Sequence, residues 1–127
     1  MFIMITAYRK DLDAISNAEN LAAFKVTLDD LANDNDSLQP IQCISSYQGH
    51  QEPSFQTWLD LGEALELARD YCQESILVVE NGLGRLVYLD GSPDKPLGLW
   101  RSVSREEALK RDAWTYDERH DIYYICE

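Results

Sequence analysis

Two rhythms of apolar and polar positions run along this chain. After Ser16, the residues Leu21, Phe24, Leu28 and Leu31 recur at helical spacing and predict a helix over residues 17–32. After Asp60, Leu61, Leu65, Ala68 and Cys72 line one face, with Ala64, Leu67 and Tyr71 beside it, and predict a second amphipathic helix. Three helix starts share a signature: Ser16 with Glu19, Asp60 with Glu63, and Ser104 with Glu107. In each, a side-chain oxygen and a carboxylate three residues on satisfy N–H groups that the first helical turn leaves free. The third pair opens only a short helix, about residues 105–112. The polar run Asn33-Asp34-Asn35-Asp36-Ser37 favours a turn after the first helix.

Between the helices the period changes to two. Residues 2–7 are apolar and β-prone. Residues 42–47 put Cys43 and Tyr47 on one face and Ile44 on the other, and residues 54–59 bring Phe55, Thr57 and Leu59 together. Residues 76–80 and 85–89 flank Asn81-Gly82-Leu83-Gly84, a hairpin signal. Residues 121–126 read as a last strand, and residues 91–96 as an exposed loop. The order is β-α-β-β-α-β-β, then a short helix and a strand. Its first six elements spell the split β-α-β pattern. The expected fold is therefore α+β: a ferredoxin-like antiparallel sheet with two helices on one face, extended by a C-terminal hairpin and strand. Residues 1–127 are expected to form a single domain. Such a sheet leaves one face open. Tyr88, Trp100, Trp114, Tyr116, Tyr123 and Tyr124 are expected to help cover it in a closed homo-oligomer.

Charge narrows the function. Lys and Arg number 11, Asp and Glu 23, and the net charge is −12. That balance disfavours a general phosphate-backbone binder and an anionic-lipid binder, so neither nucleic acid nor membrane is an expected partner. The longest largely apolar runs, residues 1–7 and 76–79, fall short of the ~20 residues that span a bilayer. No basic segment precedes a long apolar stretch, and the expected compartment is the cytoplasm. Cys43, Cys72 and Cys126 are scattered and read as small buried hydrophobes. With two histidines and no C-x-x-C, no metal site is expected. His50-Gln51-Glu52 matches the H-x-E of zinc deaminases but lacks the later P-C-x-x-C. Phosphate-loop, dinucleotide-binding and nucleophile-elbow motifs are absent, and no cofactor is expected.

The segment from Ser45 to Phe55 is the best place for chemistry. Gly49 permits a tight turn, Pro53 fixes the backbone, and Tyr47 and Glu52 bracket the turn. A hairpin here brings that phenol and that carboxylate together. A plain solvent-exposed turn accounts for the same residues, with His50 an idle loop histidine. Glu74 sits at the end of the second helix, where the helix dipole disfavours a negative charge, and reads as solvated.

Taken together, several segments resemble the phage-encoded S-adenosylmethionine lyases. They are Thr6-Ala7-Tyr8-Arg9 after the first strand and the helix over residues 17–31 with its early Asn17. Ala64-Leu65-Glu66-Leu67-Ala68-Arg69 and Gln73-Glu74-Ser75-Ile76-Leu77-Val78 follow. Gly84-Arg85-Leu86-Val87-Tyr88 and Trp114-Thr115-Tyr116-Asp117-Glu118 complete the set. A related bacterial family of unknown function shares the E-x-S-F pattern, here Glu52-Pro53-Ser54-Phe55, and the helix followed by Gln73. The resemblance implies cleavage of S-adenosylmethionine to 5′-methylthioadenosine and homoserine lactone, with phage counter-defence against methylation and restriction as the role. It also implies ferredoxin-like sheets in a homotrimer with sites between subunits, working in the host cytoplasm. It implies Glu52 and Tyr47 as catalytic residues near the sulfonium, and Ser54, Gln73 and Tyr8 as substrate-binding residues. Two other classes remain open: an acidic inhibitor that mimics DNA, consistent with the charge of −12, and a ligand-sensing module without turnover.

Overall fold

A computed structural model describes residues 1–32 and 38–127. The polar turn predicted at residues 33–37 lies outside the described residues. The elements are β1 (Phe2–Ile5), α1 (Ala14–Ala32), β2 (Ile41–Tyr47), β3 (His50–Thr57), α2 (Leu61–Asp70) and β4 (Ser75–Glu80). They continue as β5 (Leu83–Tyr88), β6 (Lys95–Val103), α3 (Arg105–Ala108), β7 (Ala113–Asp117) and β8 (Ile122–Cys126). Neighbouring strands run antiparallel in the order β1-β3-β2-β7-β8-β6-β5-β4, and β4 pairs back onto β1. The sheet is a closed barrel.

The open ferredoxin-like sheet expected from the element order is therefore incorrect. Such a sheet would leave the outer edges of β2 and β4 unpaired. Instead β7 takes the free edge of β2, β5 takes that of β4, and β8 and β6 join the two. Closure removes both edges and their unsatisfied backbone groups. Two of the closing strands escaped the sequence reading. Pro96 and Gly98 weaken the strand signal of β6. In β7 the buried positions are the polar Thr115 and Asp117, so its hydrophobic alternation is inverted.

Apolar residues form two layers. On the outer face of β1, β3, β4 and β5, the side chains of Ile3, Ile5, Phe55, Ile76, Val78 and Val87 pack under α1 and α2. Cross-strand pairs Ile5↔Phe55, Ile3↔Val78 and Ile76↔Val87 put them on one face. The Phe24 ring on α1 meets Phe55 at 5.6 Å and Tyr71 at 4.9 Å. Alternate residues point into the barrel, where eight strands leave just enough room for side chains. Met4, Val79, Cys43 and Ser54 are buried there, and Trp100 stacks on Tyr124 and meets Phe2 edge-on.

Local signals held in two of three cases. The carboxylate of Asp60 accepts the Glu63 N–H at 2.8 Å, and the Ser104 hydroxyl accepts that of Glu107 at 3.1 Å. The first helix begins earlier than predicted. Asp13 accepts the Ser16 N–H at 2.7 Å, so Asp13 is the cap and Ser16 lies inside the helix. The cysteines also divide. Cys43 is buried and Cys126 half-buried, but Cys72 is exposed, at φ 56° just past the C-cap Tyr71 of α2. Among the described residues no helix is long and apolar enough to cross a membrane.

Candidate active site

The β2–β3 hairpin carries most of the candidate residues. Its register runs from Ile41↔Gln56 to Tyr47↔His50, leaving only Gln48 and Gly49 in the turn. Both have positive φ, 50° and 82°, as a tight type I′ turn requires. The Gln48 N–H donates to the Asp112 carbonyl at 2.7 Å and ties the turn to the start of β7. β3 thus begins at His50, four residues before the predicted strand. With Ser45 opposite Glu52 and Cys43 opposite Ser54, the side chains of Ser45, Tyr47, His50, Glu52 and Ser54 share one face. It is the interior face of the barrel, followed out to its rim.

Pro53 sits inside β3 without breaking the ladder. β1 pairing stops at Ile5↔Phe55, so β3 is bonded on one side only at residue 53. The Pro53 carbonyl accepts the Thr6 hydroxyl at 2.6 Å, which shows that its backbone edge faces the side β1 has left. A missing N–H costs nothing there.

Glu52 is the half-buried charge of this rim, with its side chain 25 % exposed. Burial pushes its carboxyl above the ordinary range, and the charges of His50 and Lys10 pull against that rise. His50 Nε2 lies 3.3 Å from Glu52 Oε2. The contact is an ion-pair distance without hydrogen-bond alignment, and Nε2 is enclosed with no aligned partner among the described residues. The ring of Tyr8 rests on His50 at 5.1 Å. Behind Glu52, the hydroxyls of Ser45 and Ser54 meet at 2.6 Å.

Tyr8 is held through its backbone. Gln73 Nε2 donates to the Tyr8 carbonyl at 3.0 Å, and the Tyr8 N–H donates to Thr6 Oγ1 at 3.0 Å. Buried Asn17 grips the next residue from both sides: its Oδ1 accepts the Arg9 N–H and its Nδ2 donates to the Arg9 carbonyl, each at 2.9 Å.

The structure thus gathers the sequence candidates unevenly. Glu52 and Ser54 share a face, and Tyr8 reaches them through His50. Tyr47 is diagonal to Glu52 across the hairpin, where Cα atoms are typically ~7–8 Å apart. It is 58 % exposed and turned to solvent. Gln73 acts on the Tyr8 backbone rather than on the rim itself. His50, read as an idle loop histidine, is instead a strand residue beside Glu52. The spacing H-x-E carried that signal, since i and i+2 share a face once the segment is a strand.

Two clefts lie elsewhere. One of about 140 Å³ is lined by Leu28, Trp58 and Leu59 among others. One of about 490 Å³ is lined by residues including Lys25, Phe55 and Arg119. Neither is lined by Glu52, Tyr47, Ser54, Gln73 or Tyr8. Among the described residues no group of three or more His, Cys, Asp or Glu side chains is placed to hold a metal ion. A partly desolvated carboxylate at the rim of the barrel suits a cationic ligand through its charge.

No curated protein matches the chain. The model of the S-adenosylmethionine lyase family matches residues 3–127, which supports lyase activity on S-adenosylmethionine. The chain belongs to the S-adenosylmethionine lyase family.

Proposed function

We propose that the protein cleaves S-adenosylmethionine to 5′-methylthioadenosine and homoserine lactone, with Glu52 placing the sulfonium and Tyr47 orienting it. The observation that carries this reading is the family match over residues 3–127. The half-buried carboxylate at the rim supports it, because a sulfonium is the cationic centre of this substrate.

The reaction is an intramolecular displacement. An oxygen of the substrate's own carboxylate attacks its γ-carbon, the C–S bond breaks, and the electron pair returns to sulfur. Carboxylate and sulfonium charges vanish together, and no proton moves. The protein's task is to hold the two ends in line, which is worth up to ~7–11 kcal/mol in favourable intramolecular reactions. A site poor in water assists further, because charge is being lost. In this reading Tyr8 borders the substrate and is fixed by Gln73, while buried Ser54 backs Glu52 from inside the barrel. Since the leaving group is already activated, turnover should survive a strong chelator.

The proposal includes a homotrimer with the site between subunits, acting in the host cytoplasm as a phage defence against methylation and restriction enzymes. Exposed Tyr47 supports a shared site, and the partly exposed rings Trp114, Tyr116 and Tyr123, which lie on the opposite, outer face of β7 and β8, offer a surface for assembly. The test is direct. Purified protein incubated with S-adenosylmethionine should yield methylthioadenosine and homoserine lactone in equal amounts. Bound but intact S-adenosylmethionine would instead favour a sensing module.

A further inference from the structure

We propose that His50 is a positioning residue for this reaction: braced by the Tyr8 ring, it keeps the Glu52 carboxylate ionised and in place for a cationic substrate. This rests on the reading of Glu52 as the sulfonium contact.

The geometry makes the case. His50 and Glu52 alternate onto one face of β3, and their closest atoms, Nε2 and Oε2, are 3.3 Å apart. Nε2 is enclosed and has no aligned hydrogen-bond partner among the described residues. Glu52 is therefore its electrostatic neighbour, and no hydrogen bond turns that nitrogen away. The Tyr8 ring packs against the imidazole and limits its rotation. Tyr8 is in turn fixed by Gln73 and Thr6, so the brace reaches back into the fold.

Charge gives the brace a purpose. The groups facing this pair are Lys10 and Tyr8 on the segment after β1, Tyr47 across the hairpin, and the Ser45 hydroxyl of β2. Burial favours a protonated Glu52, while His50 and Lys10 oppose it. A protonated Glu52 offers a sulfonium nothing. His50 is the stronger of the two opposing groups and shares Glu52's strand, and its loss should leave burial less opposed. The carboxyl would then take up its proton at higher pH.

Two measurements on the full chain test this. Carbon-13 NMR of the glutamate carboxyls, without substrate, gives the titration midpoint of Glu52 in wild type and His50→Gln. Steady-state kinetics give kcat and KM for S-adenosylmethionine against pH in the same proteins. In His50→Gln the Glu52 midpoint should move to higher pH, and the acid limb of kcat/KM should move with it. On that limb KM should rise about fivefold, the scale of a partly exposed ion pair. At alkaline pH, where Glu52 carries its charge in every variant, the KM difference should shrink. His50→Phe keeps a ring against Tyr8 without the nitrogens, and it should behave as His50→Gln does. It also serves if the glutamine variant fails to fold. An unmoved Glu52 midpoint in either folded variant overturns the proposal, and so does a wild-type pH profile for His50→Phe. A midpoint that moves as expected in a protein that cleaves no S-adenosylmethionine overturns the lyase reading instead.

Discussion

Barrel closure predicts a large difference between two glycine-to-alanine changes that look alike in sequence. Gly98 and Gly91 both have positive φ, 103° and 84°. An alanine at either pays for a left-handed backbone, roughly 1–2 kcal/mol. At Gly91 nothing lies within 4 Å of the new Cβ. At Gly98 the Cβ would fall 2.3 Å from the carbonyl carbon of Glu127 and 2.6 Å from its oxygen. Both are backbone atoms, so the Glu127 backbone just past β8 must move away from β6. That motion strains the reciprocal Leu99–Glu127 backbone bonds of 2.8 and 2.9 Å, each worth about 1 kcal/mol. Overpacking of this kind costs about 1–3 kcal/mol. Gly98→Ala should therefore be less stable than Gly91→Ala by about 2–3 kcal/mol. For a chain of this length that is a Tm difference of roughly 10 °C. Thermal and urea unfolding followed by circular dichroism measure it. Equal stability of the two variants would refute the close β6–β8 approach, and with it this account of how the barrel shuts.

Asp60→Ala should cost about 1 kcal/mol in urea unfolding because it removes the cap of α2. Ser16→Ala should stay within about 0.5 kcal/mol, because Asp13 holds that helix end. In the folded protein a thiol reagent should modify Cys72, and peptide mapping should find Cys43 untouched. Cys72 is exposed, whereas burial pushes the Cys43 thiol up to about 12. The Arg101 and Arg111 guanidinium groups hold the Glu127 carboxyl below its ordinary 4.5. Their pairing should stabilise the fold above pH 4.5 and fade as pH falls through the lowered folded value. The Tm gap between wild type and Glu127→Gln should then be widest above pH 4.5 and close in acid; a gap that widens in acid would contradict the pairing.

Local features were legible in the sequence because they rest on near neighbours. The Asp60 and Ser104 caps, the amphipathic face of α2 and the hairpin at Asn81-Gly82 all follow from spacing within a few residues. Closure was not legible, because it depends on β7 finding β2 and β5 finding β4 across long stretches of chain. The strands that achieve it also carry misleading signals: Pro96 and Gly98 in β6, and buried Thr115 and Asp117 in β7. At the site, Glu52 stood out by its place beside a turn. His50 did not, because Pro53 suggested that the strand began after it. The departure of β1 at Ile5 is what lets β3 continue through Pro53, and no local pattern announces that.

Replacing Glu52 by Gln tests the central claim most directly. The change keeps the shape of the side chain and removes its charge. A charge-assisted contact to the substrate is worth about 1.5–3 kcal/mol, so production of methylthioadenosine should fall by well over tenfold. Glu74→Gln removes the same charge from an exposed position on a chain at −12 and should leave the rate near wild type. Melting curves and sedimentation establish that both variants are folded and assembled. A folded, assembled Glu52→Gln protein that makes methylthioadenosine at the wild-type rate would contradict the assignment of the barrel rim as the site of cleavage.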